Sequence, residues 1–442
     1  MKIEKQLCKY IILNVFAMIG TSCYILADTY FISNAAGTDG ITALNLTLPI
    51  YGLIFAIGAM IGIGSAIRYS LCKNTEQREA DRYFSNAVIW DIIIGLLFTA
   101  VGITAPELVM RFMGADEEIM GVGTPYLRIA LIFTPFFMMN YAFTAFVRND
   151  KAPKLAMAAT LLSSIFNIVF DYIFMFPLGL GMVGAALATG VSPIVSILIC
   201  LTHFFSKKNS IRFRPALPSI RMLAKSCSLG VVAFVGEIAS GITTMAFNFI
   251  LLGLAGNTAV AAYGVIANYA LVGTAIFNGV SQGLQPLASE MHGKGDGEAK
   301  KRIIRCSTII GLILAFAIVG GVWMLAKPCV QVFNGDNSHE LADYAVRGIR
   351  IYFAGFLAAS INIIWAGYFS ATGRAMPASI VALSRGVIAI ILFAFVLSRV
   401  FGITGVWLAF PCAEVFTLGI TFILKFYYNC SEPLPSHSHF RT

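Results

Sequence analysis

Charge is scarce in this chain. Only 12% of its 442 residues are Asp, Glu, Lys or Arg, whereas 58% are hydrophobic. A soluble chain carries about a quarter charged residues, so the shortage excludes an ordinary soluble protein and points to a bilayer. Chemical motifs are scarce too. There is no G-x-x-x-x-G-K-[ST] loop: the nearest approach, "ASEMHGKGDG", lacks the first glycine and the Ser/Thr. There is no H-E-x-x-H, since "HELAD" at His339 lacks the second His, and no G-x-S-x-G elbow. These absences remove the ATPase, zincin and hydrolase readings, so no enzyme and no cofactor are expected. An ion gradient is left as the source of energy. The nine cysteines form no C-x-x-C pair and read as small buried hydrophobes rather than a disulfide framework.

What the chain has in quantity is apolar runs. A bilayer core of about 30 Å needs about 20 helical residues. Runs of that length occur at about 9–32, 43–67, 84–105, 123–146, 155–176 and 182–205, and again at about 226–253, 259–285, 303–326, 345–370, 377–398 and 403–426. The first continues past Cys23 with no A-x-A site, so it reads as a membrane span and not as a signal peptide. The expected fold is all-α and membrane-embedded, with twelve transmembrane helices. The expected units are a six-helix bundle over 1–205, a basic linker over 206–225, a second six-helix bundle over 226–426 and a polar tail over 427–442.

The basic residues orient these spans. With the N-terminus cytoplasmic, 24 of the 31 Lys and Arg fall in inside segments. Only Arg111, Lys327 and Arg399 fall in outside loops, and Arg128, Arg347, Arg350 and Arg385 lie in or near spans. This asymmetry predicts a multi-pass protein of the cell inner (plasma) membrane with both termini cytoplasmic. It also accounts for the net charge of +9 without any nucleic-acid partner. The two halves match at a near-constant offset. Gly37 aligns with Gly256 and Gly64 with Gly283 at 219, Gly181 with Gly402 at 221, and Asn140 with Asn362 at 222. Six spans per half is an even number, so the repeats share one topology. That predicts a pseudo-twofold axis along the membrane normal and a central cavity.

Five carboxylates fall within the spans: Asp28, Asp91, Asp171, Glu237 and Glu414. At 1.5 Å per residue, Asp28 lies about 6 Å from the outer end of its helix, Asp171 about 8 Å, Thr189 about 10 Å and Asn167 about 14 Å. Asn167 and Asp171 are four apart and share a helix face. The four side chains form a hard-oxygen cluster. It suits a small cation such as Na⁺, or two carboxylates sharing one proton. Loading it would neutralise charge inside hydrocarbon, which is a basis for coupling ion occupancy to shape. The plainer alternative is that Asp171 only hydrogen-bonds a neighbouring helix.

Several segments carry a resemblance. "ADTYFISNAAGTDGITALNLTLPI", "FNIVFDYIFM", "GLGMVGAALATG" and "FNGVSQGLQPL" resemble segments of the MATE (multidrug and toxic compound extrusion) family, nearest to its MepA-like bacterial branch within the MOP flippase superfamily. The resemblance implies two six-helix lobes that alternate between outward and inward openings. It implies export of organic cations and other amphipathic drugs in exchange for H⁺ or Na⁺. In the family, positions matching Asp28, Asn167, Asp171 and Thr189 form the cation or proton site of the N-terminal lobe, joined by the backbone carbonyl matching Ala185. Small-molecule substrates and the lipid bilayer are the expected partners, and a monomer the expected state.

Soft or polar side chains mark a candidate substrate cavity: Met138, Met139 and Asn140 in the fourth span, Glu237 in the seventh, and Gln282 and Gln285 in the eighth. Arg385 and Glu414 lie at similar depth and read as a structural pair. Asp91, near the inner end of its span, is expected to neighbour loop cations. Within transport, the alternative is a flippase for lipid-linked saccharides. Its pyrophosphate cargo would call for a basic cavity, and only Arg385 lies deep in the spans. A membrane-embedded enzyme or receptor would need a nucleophile, a metal constellation or a large soluble domain, and the sequence offers none.

Overall fold

The computed structural model describes residues 2–73, 75–214, 217–333 and 339–430. The end of the expected tail, from residue 431, lies outside them. The described residues are helical with short connections. Helical backbone satisfies its own hydrogen bonds, which is why hydrocarbon tolerates it.

Residues Lys2–Cys72 form one helical path of 71 residues. At 1.5 Å per residue that is about 107 Å, more than three bilayer cores, so it must turn. It turns at Gly37, whose φ of 58° and ψ of −144° leave the helix. The spans on either side are α1 (Ile3–Ile32) and α2 (Thr42–Cys72). Then come α3 (Gln77–Thr104), α4, α5 (Pro153–Met175) and α6 (Gly181–Phe205). The second half repeats the pattern. A 74-residue path, Ile220–Gly293, breaks at Gly256 with φ 67° and gives α7 (Ile220–Gly256) and α8 (Thr258–Gly293). After α9 (Gly297–Gln331) and α10 comes the path Ala375–Tyr428, which breaks at Gly402 with φ 57° into α11 and α12. Twelve spans result. Gly37 and Gly256 align at an offset of 219, and Gly402 aligns with Gly181, which has φ 50°. Both pairs sit in left-handed backbone that a side chain disfavours.

Two spans expected to be continuous are bent. In α4, Glu117–Ile132 meets Thr134–Asn149 at 46°; in α10, His339–Ala354 meets Phe356–Ala371 at 43°. Pro135 starts the second half of α4 and cannot donate a hydrogen bond into the turn before it. The breaks at Phe133 and Gly355 again lie at equivalent places in the two halves.

Each half has its own core. In the first, Ile54, Phe84, Phe137 and Phe146 interlock; in the second, Phe247, Tyr352, Phe356 and Trp407 do so. The bundles meet at the end that carries the termini and the linker. There the start of α1 (Leu7, Tyr10, Ile11) packs into Val280, Leu284 and Leu287 of α8. α2 and α7 cross so closely that a Cβ on Gly64 would lie 2.1 Å from the Ser226 carbonyl, and one on Gly230 2.0 Å from that of Met60. Neither glycine tolerates a side chain in this arrangement. Arg148 of α4 lies in the seam and donates to Asn14 Oδ1 at 3.1 Å and, in the other bundle, to Gln282 Oε1 at 2.6 Å.

The linker is pinned to the first bundle. Asp150, just beyond α4, receives Ser210 N–H at 2.7 Å, Tyr69 O–H at 2.9 Å, the Ser210 hydroxyl, and His203 at 2.9 Å. Burial pushes its carboxyl up, but the hydrogen bonds from His203, Ser210 and Tyr69 outweigh this and hold it below the ordinary carboxylate value.

Candidate functional site

Asp171 and Asn167 lie on the inner face of α5, both 0% exposed. Thr189 and Ala185, one turn apart on α6, are also buried. The Asn167 amide satisfies both its ends when its nitrogen faces Asp171. Nδ2 then donates to Asp171 Oδ2 at 3.2 Å, while Oδ1 accepts from Thr189 N–H at 3.3 Å and from Thr189 Oγ1 at 3.2 Å. From α1, the Asp28 carboxyl comes near enough to that of Asp171 for the two to interact. Two carboxyl groups can bond only if one of them carries a proton. Asp28 Oδ1 and Asp171 Oδ1 are buried with no hydrogen-bond partner among the described residues. The cluster therefore holds two acidic groups, one amide donor to Asp171, and two unclaimed acceptor oxygens.

For a sodium ion, Asp28 and Asp171 offer carboxylate oxygens. The Asn167 oxygen is already committed to Thr189 in this orientation. Among the described residues, no group of three or more His, Cys, Asp or Glu side chains is arranged to hold a metal ion. The Asp28 and Asp171 oxygens can take either a proton or a small cation.

Three tyrosines not singled out in the sequence stand around this pair. The hydroxyls of Tyr24, Tyr51 and Tyr126 all lie within electrostatic reach of Asp28 and Asp171. Tyr51 packs on Tyr126 with ring centres 6.2 Å apart. Tyr24 precedes Asp28 by four residues, so helical spacing puts it on the same face.

The six candidate cavity residues separate. Met138 is 0% exposed and packs under Gly58 of α2. It fills the first core instead of lining a cavity, because its place on α4 faces a close crossing with α2. Gln285 is buried within the second bundle beside Gly367. Gln282 belongs to the seam, held by Arg148. Met139, Asn140 and Glu237 are half-buried, and Tyr141 of α4 donates to Glu237 Oε1 at 3.2 Å across the bundles. Asp91 departs from expectation. It has no loop cation as a neighbour; it is 0% exposed, with both oxygens unpartnered among the described residues. Its face of α3 turns into the core, between the rows that carry Val88 and Gly95.

In the second bundle, Arg385 Nη2 lies 2.6 Å from Glu414 Oε1. Asn362 donates to Glu414 Oε2 at 2.8 Å and to its carbonyl at 2.9 Å, and Thr421 donates to Asn362 Oδ1 at 3.0 Å. Residues Ser384–Ile388 form a single π turn. The wider turn inserts one residue into α11 at the point where Arg385 reaches Glu414.

Comparison with known proteins follows this geometry. The MatE family model matches residues 14–173 and 233–418, one segment in each bundle. The chain belongs to the MatE family. Its members are membrane transporters and not enzymes, so this is a multi-pass membrane transporter acting on small molecules. Among curated relatives, the Multidrug export protein MepA of Staphylococcus saprophyticus is 28% identical over 395 residues, covering 88% of this chain and 86% of the relative. MepA of Staphylococcus aureus strain MRSA252 is 27% identical over 403 residues, covering 90% and 88%. The outward-facing structure of a multidrug resistance MATE transporter of the MOP superfamily superimposes with a TM-score of 0.90 at 21% identity, over 97% of this chain and 96% of that one. A MOP superfamily transporter from Pyrococcus furiosus gives 0.89 at 21% identity, over 97% and 96%. These likenesses place the MatE chain in the fold of twelve helices in two bundles.

Proposed function

We propose that this MatE transporter is a secondary antiporter that exports organic cations or other amphipathic drugs in exchange for protons. The nearness of the Asp28 and Asp171 carboxyls, deep in the first bundle, carries the reading. The relatives named as multidrug export proteins support the cargo class. In this reading Asp28 and Asp171 hold the exchanged proton, Asn167 steadies Asp171, and Thr189 with Ala185 sets the Asn167 amide. Charge on the pair is costly in hydrocarbon, so the protonated and deprotonated pair favour different shapes.

With the basic end cytoplasmic, the close seam at Gly64, Gly230 and Arg148 would be the inner gate of the cycle. Rocking would part that seam and close the far end. The bundles would be 1–205 and 226–426, the transporter would sit in a bacterial inner membrane with both termini inside, and it would act as a monomer. Arg385 is engaged by Glu414, which disfavours it as a partner for a pyrophosphate-bearing cargo.

The test is drug efflux from proteoliposomes with a pH gradient or a Na⁺ gradient imposed separately. A pH gradient alone is expected to drive efflux. Efflux driven by Na⁺ alone would replace the proton with sodium, and no efflux with either would remove the antiport reading.

A further inference from the structure

The linker and the start of α7 carry Lys207, Lys208, Arg212, Arg214, Arg221 and Lys225 between residues 206 and 225, and no acidic residue. Backbone bonds lay it along α3. Arg212 N–H donates to Asp81 Oδ1 at 3.2 Å, Arg214 N–H to Ser85 Oγ at 2.7 Å, and Ser219 N–H to Asn86 Oδ1 at 2.7 Å. Where α3 and α7 leave their bundles, this arrangement borders a cavity of about 250 Å³, lined by Arg82, Ser85, Asn86, Leu217, Ser219 and Met222.

We propose that this cavity binds the phosphate of an anionic glycerophospholipid. No carboxylate lines it. Three donors face one small volume. Arg82 is exposed, with no ion-pair partner among the described residues. Asn86 is 5% exposed; its Oδ1 is taken by Ser219, and its Nδ2 has no acceptor. Ser219 Oγ accepts from Met222 N–H at 3.3 Å, which leaves its own hydrogen free to donate. Ser219 also caps α7, so the positive end of a long helix dipole adds to the same spot. Asp81, one residue before Arg82, is already engaged by the Arg214 guanidinium at 3.0 Å and by Gln77 at 2.9 Å.

The apolar rim selects a lipid over a free anion. Leu217 is 93% exposed and Ile220 71% exposed. Leu217 lines the cavity, and Ile220 follows the Ser219 cap as the first residue of α7. Acyl chains would cover these side chains, whereas a soluble phosphate would leave them in water. An arginine–phosphate hydrogen bond is among the stronger ones available, so one residue can dominate retention.

Native mass spectrometry of the full chain, loaded with phosphatidylglycerol or phosphatidylcholine, tests this. The wild type is expected to retain phosphatidylglycerol several-fold better. Arg82→Gln should cut that retention about tenfold, as loss of a charge-assisted bond implies. Asn86→Asp keeps the acceptor for Ser219 but replaces the free donor with a charge that repels phosphate, and should do the same. Its melting temperature in phosphatidylcholine reports whether it folds, and Arg82→Gln, at an exposed site, carries the test if it does not. The double variant Lys207→Gln/Lys208→Gln, outside the cavity, should change retention less than twofold. Equal losses in the Arg82 and lysine variants would reduce the effect to diffuse charge and overturn the site. So would equal retention of the two lipids by the wild type, or displacement of the lipid by an equal concentration of glycerophosphoglycerol.

Discussion

The two bundles share a backbone but treat their buried acids in opposite ways. In the second, Glu414 is saturated: Arg385 neutralises it, Asn362 donates to it, and Thr421 fixes Asn362. In the first, Asp28 and Asp171 face each other with one amide donor and two unclaimed oxygens. A saturated acid has nothing to gain from a change of protonation. A pair of acids with too few donors gains or loses with every proton. Under the proposed antiport, the difference leaves structure to one bundle and switching to the other, although the asparagines involved, Asn167 and Asn362, are the same residue type.

The comparison can be broken at its strongest point first. Asp171→Asn and Asp28→Asn are each expected to abolish gradient-driven efflux while the protein still reaches the membrane. Normal efflux in both would remove the pocket from the mechanism. In the second bundle the expectation reverses. Arg385→Met strands a buried carboxylate and should cost about 3–5 kcal/mol of stability, and Arg385→Met/Glu414→Leu should recover most of it with efflux retained. Melting temperatures of the two variants decide this. If the double variant is stable but inactive, the second bundle is not merely structural.

Two smaller effects sharpen the boundary between the bundles. Gln282→Ala removes the inter-bundle acceptor of Arg148, a bond worth about 1.5–3 kcal/mol because its donor is charged. It should shift the population toward opening of the seam, read by spin-label distances across α2 and α7; an unchanged distance distribution would mean that the seam rests on its glycine crossings and the apolar packing of α1 against α8. Asp150 should show the smallest effect. Its folded pKa lies below the unfolded one, so its contribution is complete above pH of about 4 and fades as pH falls through the folded value. Asp150→Asn should therefore lower stability at neutral pH and flatten the acid side of the stability profile, as measured by thermal melts across pH.

Much of this was legible in the sequence. Span number follows from apolar length, and the matched glycines 37 and 256, or 181 and 402, proved to be turns with positive φ. The depth estimate drew together Asp28, Asn167 and Asp171, which the fold does bring side by side. What spacing cannot give is the direction a face turns. Met138 and Met139 are adjacent, yet one is core and the other half-buried, because only Met138 meets Gly58. Asp91 looked like a residue near loop cations because distance along a helix says nothing of rotation about it. The bends in α4 and α10 were hidden because Phe133 and Gly355 interrupt the backbone without interrupting hydropathy. The linker cavity was invisible because its walls come from residues more than 130 positions apart.

The most direct measurement is infrared difference spectroscopy of the purified transporter between low and high pH. A protonated-carboxyl band should vanish as pH rises in the wild type and be missing in Asp171→Asn, while Glu414→Gln leaves it in place. A band unchanged in Asp171→Asn, or one lost only with Glu414, would contradict the assignment of switching to the first bundle.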